Sequence, residues 1–143
     1  MTAQIGTKEI VDKALEILKA DARVKDLFTW YRGRRSLHDV QQFPAASVYR
    51  GDGEARGASI PSGMEAVVAV EILLRWQGEK PIDELEQDME SGTDKIVEVL
   101  WDNRKLGLSR VGWFSLTWTS RSNPEAAPGF AESLVSLRVT VRV

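Results

Sequence analysis

The chain has no cysteine among its 143 residues. Disulfides, thiolate catalysis and cysteine-held zinc or iron–sulfur centres are therefore excluded. Histidine is nearly missing too: His38 is the only one, so a metal site built from several imidazoles is impossible. No apolar run approaches the ~20 residues that span a bilayer, and no membrane partner is expected. The opening tract MTAQIGTKEIVDKALEIL lacks the basic start and continuous apolar stretch of a secretory leader, which makes the cytoplasm the expected compartment. A charge excess of one sign is also lacking. The formal net charge of -2 argues against a dedicated nucleic-acid binder, although it leaves room for a local basic patch. No internal repeat, low-complexity tract or linker interrupts the chain, so a single domain over residues 1–143 is expected.

What is present is the composition of an ordinary globular domain, 43% hydrophobic and 28% charged, enough for one sizeable core. Residues Thr7 to Ala22 read as an amphipathic helix, with Ile10, Ala14, Ile17 and Leu18 at helical spacing and Thr7 as a suitable N-cap. Leu27 to Tyr31 suggests a short strand or hairpin arm. AASVYR (Ala45–Arg50) is a better strand, introduced by Pro44 where a missing donor does least harm. The glycine-rich segment Gly51 to Gly63 reads as a long loop, a length usually associated with function. MEAVVAVEILLRWQG is the strongest central strand. One of its faces carries Val68, Val70, Ile72, Leu74 and Trp76; the other, half apolar, carries Val67, Ala69, Glu71, Leu73 and Arg75.

A second helix is expected from Pro81, which suits a first helical turn, to about Gly107, a natural C′ residue. Gly92 inside it marks a kink or a close approach to the sheet. Two strands follow, LSRVGWFSLTWTSR and FAESLVSLRVTVRV. The final tract alternates Val135, Leu137, Val139, Val141 and Val143 with Ser136, Arg138, Thr140 and Arg142, giving one apolar face and one wet, cationic face. The order α-β-β-α-β-β, with one extra short strand allowed, predicts an α+β fold. Its sheet is mostly antiparallel, with two helices packed on one face.

No reaction centre stands out. The acidic tract DELEQDME reads as a solvated helix face. RGD within RGDGEARG reads as a turn, and the same stretch lacks the Gly-Lys-Ser/Thr ending of a phosphate loop. His38 has no nucleophile elbow or other local signature beside it. YRGRR (Tyr31–Arg35), Arg138 and Arg142 are the basic features with geometry, fit either for solubility or for a polyanion. Five tryptophans remain: Trp30, Trp76, Trp101, Trp113 and Trp118. Trp76 and Trp101 are assigned to the core. Trp113 shares its face with Ser115 and Thr117 and stands equally well at an interface.

The succession QFPAASVYRGDGE, a loop, LLRWQG, the Pro-led KPIDELEQDMESGTDKIVEVLWDNRKLG and a short closing alternating strand resembles the tail terminator (tail completion) proteins of long-tailed bacteriophages. This is the lambda protein U type, with counterparts in prophages and gene transfer agents. The resemblance implies a non-enzymatic α+β subunit without cofactor. It implies a hexameric ring of identical copies on the tail tube, ending tube polymerisation and serving head–tail joining. Implied partners are further copies of itself, the tail tube protein, a head-side connector or neck protein and, transiently, DNA in the channel. The implied location is the virion tail, assembled in the host cytoplasm. By region, it assigns Arg50, Asp52, Glu54 and Arg56 to a tube-docking loop. Arg138, Arg142, Trp113 and Trp118 fall to the lumen or a subunit interface. Competing readings are a head-closure or tail tube protein, and a small α+β enzyme or ligand-binding domain with a pocket holding His38 or Asp52.

Overall fold

The structure, a computed structural model, describes residues 6–57, 64–109, 111–122 and 129–142. Its elements in chain order are α1 (Thr7–Ala20), β1 (Thr29–Arg32), a 3₁₀ turn (Leu37–Asp39), β2 (Ala45–Arg50), β3 (Glu54–Gly57), β4 (Met64–Gln77), α2 (Ile82–Asp102), β5 (Val111–Ser122) and β6 (Phe130–Arg142). The sheet runs β1-β2-β4-β6-β5, with β3 also paired to β4. All pairings are antiparallel except β1 with β2. Both helices pack on one face, as the periodicities predict, and the fold is α+β.

β4 and β6 form the spine. They pair over their whole length, from Glu65 opposite Arg142 to Gln77 opposite Phe130. The helix side of that spine is apolar at its centre: Val70 and Ile72 stand opposite Leu137 and Val135, all 0% exposed. α1 lies over β2 and β4, and α2 over β6, β4 and β5. α1 contributes Ile10, Val11, Ala14 and Leu18; α2 contributes Leu85, Met89, Ile96, Val99 and Leu100. Burial of these side chains supplies the main stabilisation, about 1.5–3 kcal/mol for each large one.

Several boundaries differ from the sequence reading for identifiable reasons. The residue capping α1 is Gly6, in the left-handed conformation (φ 72°), and Thr7 is already helical. The helix stops at Ala20, because Asp21 turns to accept hydrogen bonds from the Arg23 backbone N–H (2.9 Å) and Nε (3.0 Å). Arg23 also donates to Asp102 at 2.7 Å, tying the ends of the two helices together. α2 ends at Asp102, before Gly107. The Asn103 side chain donates to Val99 O at 2.8 Å and closes the last turn. Gly107, at φ 69°, turns the chain beyond the helix.

The expected hairpin arm after α1 is a strand, but it pairs parallel to β2. Residues 33–44 form the crossover that such pairing requires. The expected loop from Gly51 to Gly63 contains β3, so four strands precede α2. β4 explains it. At 14 residues it outlasts the six of β2. β2 pairs with Val70–Arg75, and β3 takes up the remainder opposite Met64–Val67. Gly92 marks a close approach: a Cβ there would lie 2.7 Å from Trp76 and 3.2 Å from Phe28. Among the described residues no helix is long and apolar enough to cross a membrane.

Candidate interaction surfaces

Three surfaces carry the residues singled out in the sequence. The first is the outer edge of the sheet. β5 pairs with β6 on one side and, among the described residues, with no strand on the other. From Val111 to Ser120 it contains no charge and no proline, the devices that normally protect an open edge from pairing. Its alternation turns Phe114, Leu116 and Trp118 toward the helix side, in register with Val139, Leu137 and Val135. α2 lies farther inboard, so Phe114 and Leu116 are half-buried and Trp118 is 51% exposed. A register shift between Val111 and Phe114 inserts an extra residue beside Trp113, which is 64% exposed.

Trp101 joins this edge. It was assigned to the core, but it is 52% exposed. The residue sits one position past Leu100 in the last turn of α2, about 100° around the helix from the buried stripe. The strand beneath it, β5, has no outer neighbour. Its ring meets Phe114 edge-on at 5.2 Å, and the Arg104 guanidinium lies 4.8 Å above the indole. Trp76, by contrast, is a core residue at 5% exposure. Trp30 is half-buried, donates Nε1–H to Lys25 O at 3.1 Å and packs edge-on against Phe28.

The second surface is the face of the sheet away from the helices. Ala69, Leu73 and Arg75 are buried there, at 0%, 7% and 7% exposure. The β1–β2 crossover covers part of this face: Arg75 Nη1 donates to Arg35 O at 2.7 Å. The half-apolar character of this face in the sequence is thus partly absorbed within the chain. Burial pushes the Arg75 guanidinium below its ordinary pKa, Glu132 opposing the shift, and pushes the Tyr49 phenol above its own. A groove of about 320 Å³ remains, bounded by Arg34, Tyr49, Leu73, Thr119, Glu132 and Leu134. Glu71 Oε1 accepts from Ser136 at 3.0 Å. Gly51 leaves room for that carboxylate, since a Cβ there would stand 2.5 Å from Oε1. Arg138 is exposed on this face, in register with Ala69 and Ser115. Arg142 stands opposite Glu65 at the end of β6, and its side chain lies outside the described residues.

The third surface is the β3–β4 arm. Arg50 is the last residue of β2, exposed and opposite Val70. Asp52 is exposed in the jog between β2 and β3. Glu54 and Arg56 stand on β3 opposite Val67 and Glu65, so they belong to a strand and not to a loop; their side chains lie outside the described residues. Residues 58–63 also lie outside them. Gly53 is required at its position: a Cβ would meet Val67 O at 2.8 Å.

His38 is in the 3₁₀ turn, and its side chain lies outside the described residues. Asp52 does not line the groove bounded by Arg34 and Tyr49. Among those residues no group of three or more His, Asp or Glu side chains is placed to hold a metal ion. Sequence reasoning missed Trp101 and Arg104 as surface-forming residues. For Trp101, the helical angle between it and Leu100 was the available signal.

No family model matches the chain, and no curated protein matches it in sequence. Among solved structures, it is similar to a chain of a structure titled "Virion of native gene transfer agent (GTA) particle". The two share 18% identity, the match covers 91% of this chain and 92% of that one, and the TM-score is 0.53. At that identity the likeness establishes the fold.

Proposed function

We propose that this protein is a structural component of a phage-like virion, and specifically the tail terminator. In this reading copies of the chain form a six-membered ring on the tail tube, stop tube growth and offer the opposite surface to a neck protein. The protein catalyses nothing and uses no cofactor. The observation that supports the reading is the near end-to-end likeness in fold to a chain of a virion particle, 91% of one and 92% of the other. The fold of the subunit agrees with it. An edge strand without charge or proline from Val111 to Ser120 and three half-exposed tryptophans are what a subunit hides against neighbours.

Each surface then has a role. The β5 edge makes subunit contacts, the β3–β4 arm with Arg50 and Asp52 meets the tube, and the exposed Arg138 with Arg142 lines the channel. A cationic wall tolerates passing DNA, provided its phosphate contacts stay few. Purified protein mixed with tail tubes tests the whole. Negative-stain microscopy should show six-fold rings seated at one end of each tube, and tubes grown in its presence should stop lengthening. Binding along the tube wall would mark a tube subunit instead, and turnover of a small molecule by a lone chain would end the reading. Arg138→Glu with Arg142→Glu should leave rings intact while lowering DNA passage; loss of the ring would place those arginines in a subunit contact.

A further inference from the structure

Charge is segregated along α2. From Pro81 to Glu98 the sequence has seven carboxylates, Asp83, Glu84, Glu86, Asp88, Glu90, Asp94 and Glu98, against Lys95 alone. Just past the other end stand Arg104 and Lys105, both exposed, beside Trp101 and the β5 edge. Asp102, the acid nearest them in sequence, is taken up by Arg23 at 2.7 Å. The 21 residues of α2 separate these ends by about 30 Å.

The acidic half also borders a groove. A cavity of about 240 Å³ lies between α2 and the start of β1 and β2, with Phe28, Trp76 and Gly92 in its wall and Asp88, Ser91 and Lys95 on the helix side. The missing side chain at Gly92 brings Trp76 against the helix there. One end of the molecule is thus basic and presents aromatic rings; the other is acidic and has an aromatic-walled groove.

We infer that the basic, tryptophan-rich end of one copy docks on the acidic α2 half and its groove in the next copy. The inference rests on the ring reading above and names the surfaces that build it. Two different patches on one subunit, Asp88 lying about 24 Å along the helix from Arg104, make a heterologous contact, the kind that closes into a ring instead of stopping at a two-fold dimer. Area contributes to the assignment: Trp101 and Trp113, both half-exposed at this end, supply roughly 250 Å², about a third of the ~800 Å² per partner found in stable interfaces. Arginine and tryptophan are also the residues that carry binding energy at interfaces. Lys80 pairs with Asp88 at 2.9 Å, which leaves the other carboxylates of the tract in excess over Lys95.

Charge exchange tests the pairing. One variant carries Glu84→Lys, Asp88→Lys, Glu90→Lys and Asp94→Lys, which turns residues 81–98 from a net charge of -6 to about +2 and makes both ends basic; the other carries Arg104→Glu with Lys105→Glu, making both ends acidic. Sedimentation of each alone should show self-association weakened roughly tenfold or more relative to wild type. Mixed one to one, they should reassemble as rings of alternating composition, because every junction again joins unlike charges. Recovery on mixing also shows that each variant is folded. If wild type forms rings and both variants assemble unchanged, or the mixture fails to recover, this interface is wrong while the ring stands. If wild type remains monomeric with and without tail tubes, the ring reading fails and takes the interface with it.

Discussion

β5 and β6 run side by side with the same alternation and opposite fates. In β6, Val135, Leu137 and Val139 are completely buried. Their direct neighbours in β5, Trp118, Leu116 and Phe114, point to the same side of the sheet and stay exposed or half-buried. Nothing in the pattern of residues distinguishes the two strands. Position does: β6 has β4 on one flank, β5 on the other and α2 across it, whereas β5 has a single strand partner among the described residues. Alternation therefore reports which way side chains face, and neighbours decide whether that face is covered. In a subunit of a larger assembly the missing neighbour is another molecule.

The comparison is most exposed at the paired leucines. Leu137→Ala removes a fully buried side chain from the centre of the core and should cost about 2–5 kcal/mol. Leu116→Ala, directly opposite, should cost about 1 kcal/mol, since much of its surface is already wet. Urea unfolding of dilute protein, followed by circular dichroism, measures both. Equal losses would mean that the outer face of β5 is covered in solution.

A second test probes the inner side. In an open helix Gly→Ala gains about 1 kcal/mol. At Gly92 the added methyl would stand 2.7 Å from the Trp76 ring, and overpacking of a tight core costs about 1–3 kcal/mol. Gly92→Ala should therefore lower stability, by about 1 kcal/mol net. A gain in thermal midpoint would show that α2 does not press on the sheet.

Much of the inner half of this molecule was legible because its physics is local. The period of Ile10, Ala14 and Leu18 sets α1 on the sheet, and β2 begins and ends where AASVYR does. Gly92 offered a kink or a close approach, and the Trp76 ring against it decides for the second. What escaped depends on partners distant in sequence. β3 exists because β4 is longer than β2. Arg75 reads as a wet-face residue, yet it is buried because the Arg35 carbonyl folds over it. Trp101 resembles a core residue until the edge beneath it proves to lack an outer strand. Of the surface residues, Trp113, Trp118 and Arg138 are exposed as an interface or lumen requires. For Trp113, which shares its face with Ser115 and Thr117, the sequence leaves core and interface equally open, and Trp118 comes to a surface only through the resemblance.

The smallest effect is expected at the outer edge itself, and its size carries the most information about assembly. Arg104 lies 4.8 Å from the Trp101 ring and 5.9 Å from Phe114. At an exposed site such a cation–π contact is worth about 0.5–1 kcal/mol, and more than twice that once water is excluded. Arg104→Gln keeps a polar side chain of similar reach and removes the charge. In dilute protein the loss in unfolding free energy should be about 0.5 kcal/mol. Measured again at concentrations where copies associate, the loss should grow, because a docked neighbour strips water from the same stack. A loss that stays constant across concentration would leave Arg104 as a surface ornament of the single chain, and the β5 edge would have to find its cover without it.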